Sequence, residues 1–234
     1  MTRRVQVRSA PPRSVTKADV LEAALTLFAE RGYHGTSLKE VAEELGIRTP
    51  SLYNHMESKN ALLRQIVLQT LHQVVDDFEY VLAQTSDPTQ RLRAATAVYA
   101  YRHATHRREA LVVNHEAVHL EDPDWTGAHD IRRQHEHGFR QLIADGCAAG
   151  VFTVDSPKVA SFAIREMCVS IARWFRADGP LSAVDVAEQY SAFALSIVGV
   201  DTAASRPAPL AQSLIDGAHL PSRCPLGRIE DPTA

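Results

Sequence analysis

A chain of 234 residues is long enough to bury a real core, and it suits one small domain beside one medium one. Hydrophobic residues make up 45% and charged residues 23%, ordinary globular values that exclude a disordered or fibrous chain. The formal net charge of −3 gives no overall basic field, so any affinity for nucleic acid must be local.

One local concentration stands at the start. Arg3, Arg4, Arg8 and Arg13 fall in the first fourteen residues with no acid among them. This is either a short arm that follows a phosphate backbone or a start that only keeps the protein soluble. The three cysteines, Cys147, Cys168 and Cys224, are widely spaced and form no CxxC pair, which fits a reducing compartment. The arginines of the N-terminus have no apolar run behind them, so no signal peptide is expected. No stretch is long and apolar enough to span a bilayer. A cytoplasmic protein without membrane contact is the expectation.

In chain order, nearly everything between Thr16 and Val200 reads as helix, and alternating strand patterns are missing. The first helix is predicted over Thr16 to Arg31, with Val20, Ala23, Ala24, Leu27 and Phe28 on one stripe and Gly32 as its stop. The second begins near Ser37, where Ser37-Leu-Lys-Glu40 has the form of a capping box, and ends at Gly46. A very short third helix spans about Thr49 to Asn54. The fourth follows Ser58 and runs to about Gln84. Asp87-Pro88 and Asp122-Pro123 are read as the starts of two further helices, the latter a long one ending at Gly150. Between them a shorter helix covers about Arg107 to Leu120. Ser156-Pro157 opens a helix ending near Asp178-Gly179-Pro180, and Ser182 opens the last, which runs to about Val200. From Asp201 onward, Pro207, Pro209, Pro221, Pro225 and Pro232 punctuate a polar tail predicted to be irregular.

Three short helices ahead of a long one form the layout of a helix-turn-helix headpiece. Leu27 and Phe28 supply an apolar face for the first helix, and Leu38, Val41, Ala42 and Leu45 supply one for the second. Gly46 sits where the turn needs unusual backbone angles, and Ile47 follows as a plug. The recognition helix must then present short polar side chains outward.

The run Phe28-Ala-Glu-Arg-Gly-Tyr33, Gly35-Thr-Ser-Leu38, Val41-Ala-Glu-Glu-Leu-Gly-Ile47, Ser51-Leu-Tyr-Asn-His-Met56, Ser58-Lys59 and Leu62 resembles the DNA-binding signature of the TetR family of transcriptional regulators. The resemblance covers about Thr16 to Leu63. It implies an all-α fold: an N-terminal three-helix helix-turn-helix DNA-binding domain plus a larger all-helical ligand-binding and dimerisation domain. The expected division is a flexible basic arm over 1–15, the DNA-binding domain over 16–62, the ligand-binding and dimerisation domain over 63–200 and the irregular tail over 201–234. By the same resemblance, Thr36 and Ser37 contact phosphate at a helix N-terminus. Arg48, Thr49, Pro50 and Ser51 read the major groove, where Arg48 suits guanine and Pro50 or the Thr49 methyl suits a thymine methyl. Tyr53, His55 and Lys59 match the family's backbone clamps, with packing a second role for Tyr53. Met56 departs from the usual aromatic residue and is expected to fill the same gap.

The implied protein is a repressor of dimeric form, gripping a palindromic double-stranded DNA operator and released by a small-molecule effector. The last two helices, about Pro157 to Ala177 and Ser182 to Val200, carry Ala160, Ala163, Ile164, Ala192, Leu195 and Ile197. Their apolar faces suit either a homodimer interface or the chain's own core. The stretch Ala172 to Leu181, with Val186 to Tyr190, is similar to a branch of the family that controls lipid, sterol or aromatic-acid breakdown and responds to acyl-CoA thioesters. Phe78, Tyr99, Arg102, His115, Glu116, Arg132, Phe139, Met167 and Trp174 are the candidate lining of that effector's pocket, with Tyr101, Arg133 and Arg173 as further possibilities. For each, a core or solvated position is the plain alternative.

A different class is suggested by His115-Glu-Ala-Val-His119. On a helix, His115 and His119 share a face and can hold zinc, with Glu116 as general base and His103, His106, His129, His135 and His137 as possible third ligands. A metal-binding regulator or zinc hydrolase is therefore the alternative reading, although the pattern has few defined positions. On the main reading no cofactor and no catalytic residue is expected.

Overall fold

The structure is a computed structural model and describes residues 14–201. The arginines at 3, 4, 8 and 13, Cys224 and the tail prolines lie outside the described residues. Among the described residues there are helices and no strand. They are α1 (Lys17–Arg31), α2 (Leu38–Glu44), α3 (Thr49–Leu52), α4 (Lys59–Ala83), α5 (Pro88–Thr105), α6 (Arg107–His115), α7 (Asp124–Ala148), α8 (Pro157–Trp174) and α9 (Ala183–Ile197), with a 3-10 turn over Ala117–His119 after α6.

Most starts follow from side chains that satisfy free backbone donors. Ser37 Oγ accepts from Glu40 N at 3.2 Å while Glu40 Oε2 accepts from Ser37 N at 2.8 Å, the reciprocal box read from the sequence. The same box forms between Thr16 and Asp19 and between Ser182 and Asp185. Ser58 Oγ accepts from Ala61 N at 3.0 Å, and Asp87 Oδ1 accepts from Gln90 N at 2.7 Å. Gly46 adopts φ 65°, a left-handed value that a Cβ would oppose, so the chain turns there from α2 into α3.

Three expectations are corrected. Asp122 does not cap α7; its carboxylate accepts from the Thr126 hydroxyl at 2.7 Å, and Pro123 stands at the cap without a side-chain bond. The helix over Arg107 to Leu120 is broken: α6 ends at His115, Glu116 caps it, and the next residues tighten into the 3-10 turn. Helix α8 stops at Trp174 because Phe175 turns to extended angles and is buried beside Ala97, Ala100 and Ile171. An exposed Arg176–Asp178 pair at 2.9 Å follows in that turn.

Two regions of core result. The first joins Leu21, Leu25 and Phe28 of α1 to Val41 and Ala42 of α2, Leu52 of α3, and Leu62 and Leu63 of α4. Val112 and Val113 of α6 belong to the same cluster, so the headpiece rests directly on α6. In the second region α5 runs through the middle, in contact with α4, α7, α8 and α9. Its alanines at 94, 95, 97, 100 and 104 are buried and leave room for Phe78, Phe139, Ile164, Phe175 and Leu195 from its neighbours.

Candidate nucleic-acid interface and effector pocket

The headpiece holds its third helix by one buried anchor. Leu52 is 0% exposed, whereas Arg48, Pro50 and Asn54 are exposed and Tyr53 is 57% exposed. Met56 is buried and fills the gap expected of it. Thr49, Ser51, His55 and Lys59 are half-buried beside this outward face. Tyr53 and His55 also share a shallow groove with Lys17 and Arg64. The sequence reading had not singled out Lys17, whose place at the start of α1 becomes relevant only once α1 and α4 are packed.

Two expected phosphate contacts are already engaged. Thr36 is 2% exposed, and its hydroxyl donates to the carbonyls of Leu27 at 3.2 Å and Gly32 at 3.0 Å. Its side chain is therefore a clamp between the end of α1 and the start of α2. Ser37 uses its hydroxyl within its capping box. Lys59 Nζ lies 4.2 Å from the centroid of the Tyr33 ring, a cation–π contact at the start of α4. Burial lowers the Lys59 pKa, and nearby Glu40 opposes that shift.

A cavity of about 320 Å³ opens between α4, α5, α6, α7 and α8. Of the predicted lining, Tyr99, Arg102, His115, Arg132 and the further candidate Arg173 reach it. The others do not. Phe139 is core and stacks on Phe78 at 4.9 Å, and Phe78 touches only a crevice of about 10 Å³ beside the cavity. Met167 and Tyr101 pack against the core, and Arg133 is solvated. Trp174 is 44% exposed and stacks on Tyr190 at 6.4 Å.

The cavity also holds Arg165 and Glu166, which the sequence reading passed over, and His103, His106 and His135, which it offered only as further zinc ligands. A signal existed. Tyr99, Arg102, His103 and His106 recur at helical spacing on α5, and Arg165, Val169 and Arg173 recur every fourth residue on α8. A polar stripe of helical period along a buried helix marks a wet cavity, just as an apolar stripe marks a core.

The electrostatics of these walls follow from burial. Arg102 is 4% exposed, with Nη1 3.3 Å from Asp77 Oδ2 and Nη2 donating to Gln73 Oε1 at 2.8 Å. Burial pushes the His103 and His106 pKa values down to about 4, with Arg102 adding to the shift, and pushes His135 well below its ordinary value. These rings are neutral near neutral pH. Burial also raises the Tyr99 phenol and the Cys168 thiol, keeping both protonated.

The His115-Glu-Ala-Val-His119 segment does not make the helical zinc site. Because α6 ends at His115, the two histidines do not share a helical face, and no metal-holding group of three or more ligands exists among the described residues. His115 lines the cavity. Glu116 turns the other way: its Oε2 accepts from Tyr33 N at 2.9 Å, and Gly32, at φ 77°, brings the chain close to that carboxylate. His119 stacks on Tyr33 at 5.7 Å and lies 3.1 Å from His34 Nε2 through its Nδ1. Its carbonyl accepts from Asn60 Nδ2 at 3.2 Å. At the other end of α6, Arg108 Nη1 pairs with Glu22 Oε1 at 2.6 Å. Helix α6 is thus tied to the headpiece through Arg108, Val112 and the Glu116 that caps it, while Ala110, Asn114 and His115 face the cavity.

The outer face of α8 and α9 divides the residues expected there. Ala160, Ile164 and Leu195 are internal core, while Ala163 and Ile197 are exposed. Val159, Phe162 and Phe193, 66%, 40% and 52% exposed, complete an uncovered apolar face. No helix among the described residues is long and apolar enough to cross a membrane.

Comparison with known proteins agrees with this anatomy. The family model described as bacterial regulatory proteins of the tetR family matches residues 20–66, and one described as a tetracyclin repressor-like C-terminal domain matches residues 85–198. The HTH-type transcriptional repressor KstR2 of Mycolicibacterium smegmatis is 28% identical over 193 residues, covering 79% of this chain and 92% of the relative. The structure of the ketosteroid transcriptional regulator KstR2 of Mycobacterium tuberculosis superposes with a TM-score of 0.74 at 26% identity, covering 81% of this chain and 97% of that one. The structure of AibR in complex with isovaleryl coenzyme A and operator DNA gives a TM-score of 0.68 at 23% identity, covering 76% and 96%.

Proposed function

Because the chain belongs to the TetR family of bacterial regulatory proteins, we propose that it is a cytoplasmic, homodimeric repressor of transcription that a small-molecule effector releases from its operator. The observation that carries this is the headpiece, where α3 shows Arg48, Pro50 and Tyr53 to solvent over a fully buried Leu52. On this reading residues 16–62 bind DNA and residues 63–200 hold the effector and the dimer contacts. Arg48, Thr49, Pro50 and Ser51 read base edges, and Tyr53, His55 and Lys59 grip phosphates. Thr36 serves by shaping the start of α2, and Ser37 offers the helix N-terminus to phosphate.

Dimerisation uses the uncovered face of α8 and α9, with Val159, Phe162, Ala163, Phe193 and Ile197 meeting their twofold mates. The effector is an acyl-CoA thioester whose acyl end enters the cavity. This is supported by the bound ligand of AibR and by the chain's likeness to KstR2. The protein is a regulator and not an enzyme, and the split of the His115 to His119 segment supports that reading.

Release works through headpiece separation. Two recognition helices must lie about 34–36 Å apart to enter successive major grooves. Helix α4 links headpiece to cavity directly. Helix α6 does so through His115 on one side and Glu116 on the other. An effector that favours a different seating of these helices moves the headpieces out of register. By linkage, operator DNA then weakens effector binding by the same factor.

The test is fluorescence anisotropy of the purified protein on labelled DNA from upstream of its own gene, run against random DNA over a salt series, with acyl-CoA thioesters added. Selective binding is expected. Lys59→Ala is expected to weaken it across all sequences and to reduce the salt slope by about one. Absence of selectivity, after an unbiased operator selection as well, overturns the assignment.

A further inference from the structure

The cavity carries more positive charge than its own walls balance. Resting on the reading of this cavity as the effector pocket, we propose that it takes an acidic acyl group, with a free carboxylate held between Arg165 and Arg132.

Arg102 has its counter-charge in Asp77. Neither Arg132 nor Arg165 has a carboxylate within ion-pair distance among the described residues, and Glu166 acts on Arg132 only from beyond that distance. Arg132 donates to the Val113 carbonyl, which leaves the rest of its fork for another acceptor. Arg165 has a buried Nε with no hydrogen-bond partner. A half-buried guanidinium without a close counter-charge is unfavourable, and this fold retains two beside the same cavity.

The remaining lining does not cancel them. Glu166 is the single acidic residue in the wall and is itself exposed, while Arg173 adds a third uncompensated cation at the rim. Of the four histidines in the wall, His103, His106 and His135 are neutral, so these three offer ring donors and acceptors and no charge.

A carboxylate matches this arrangement. The planar guanidinium fork can donate to it bidentately, and the histidine N–H groups and the Tyr99 hydroxyl can donate to its remaining lone pairs. Leu71, Val74, Ile131 and Val169 supply the apolar wall for a few methylenes. At about 320 Å³ the cavity is near the lower end of ligand pockets, so it encloses a short acyl chain and leaves a coenzyme nucleotide outside.

The experiment is titration calorimetry of the full chain with ligand pairs that differ only in a terminal carboxylate: glutaryl-CoA against pentanoyl-CoA, and adipoyl-CoA against hexanoyl-CoA. Free glutarate and adipate complete the set. At least one acidic member should bind about tenfold to a hundredfold more tightly than its neutral partner, as a desolvated charge-assisted contact implies. That preference should collapse in Arg165→Met and recover in part in Arg165→Lys. Both variants are checked for unchanged melting and for unchanged operator binding without ligand. If a free diacid binds as tightly as its thioester, the carboxylate clamp stands and the thioester part of the proposed function fails. Equal binding of acidic and neutral thioesters means that the arginines serve the coenzyme phosphates, and it overturns the proposal. So does failure of all six probes, while selective operator binding by the same preparation still establishes the regulator.

Discussion

The headpiece and the body bury their residues by opposite rules. In the headpiece the inside is dry: Leu21, Leu25, Phe28, Val41, Leu52 and Leu63 are all 0–1% exposed. Its one buried polar side chain, Thr36, has both its bonds made within the headpiece. The body instead buries Arg102, His103, His106 and His135 around a cavity, with Asp77 paired behind Arg102. A surface that must present side chains at a set spacing needs rigid support, and close apolar packing provides it. A surface that must respond to a ligand needs polar groups whose partners change. The body therefore accepts burial that is unfavourable until something fills the space.

The sharpest way to break this contrast is to open a hole in the dry side. Phe28→Ala should cost about 3–5 kcal/mol, because the surrounding helices cannot collapse onto the void. Chemical denaturation should show the loss, and operator binding should vanish with it. A cost below about 1 kcal/mol would mean that the headpiece packs loosely.

On the wet side the sensitive variable is pH. His103 and His106 take up protons only near pH 4 when folded and near 6.5 when unfolded, so between these values the unfolded chain binds more protons. Stability is full above about pH 6.5 and falls as pH drops towards 4, by up to about 1.4 kcal/mol per pH unit for each histidine. Thermal melting across pH 4–8 checks this, and His103→Gln should flatten the curve. An unchanged curve in that variant would show that His103 is solvated.

Between the two regions, Glu116→Ala removes the acceptor of Tyr33 N, a loss of about 1.5–3 kcal/mol for a bond to a charged group. It should also blunt the response of DNA binding to effector while leaving calorimetric effector affinity within about threefold, since Glu116 does not line the cavity. The smallest change is Ser58→Ala at the start of α4, about 1 kcal/mol from the lost cap. Because α4 serves both regions, this loss should appear equally with and without effector in denaturation curves.

Much of the fold was legible along the chain. The capping box at Ser37, the helix starts at Thr16 and Ser182 and the turn at Gly46 depend on residues within a few positions of each other, and local chemistry decides them. The outward face of α3 could be written down before any packing was known because the headpiece resembles the TetR signature. The pocket was legible only in part. Tyr99, Arg102, His115 and Arg132 were found, whereas Phe78, Phe139, Met167 and Trp174 went to the core or the surface. An aromatic residue on a helix is equally suited to a core, a cavity or a dimer face, and only the neighbouring helices choose among them.

The sequence by itself determined that the chain is helical and where most of its helices begin, because those outcomes rest on spacing and on bonds between near neighbours. Only the tertiary structure decided that α6 stops at His115, that Glu116 bonds to the headpiece, and that Arg132 and Arg165 line one cavity with no carboxylate in ion-pair distance among the described residues. Those facts join residues far apart in the chain, such as Tyr33 and Glu116, and charge balance in a cavity is a property of all its walls at once.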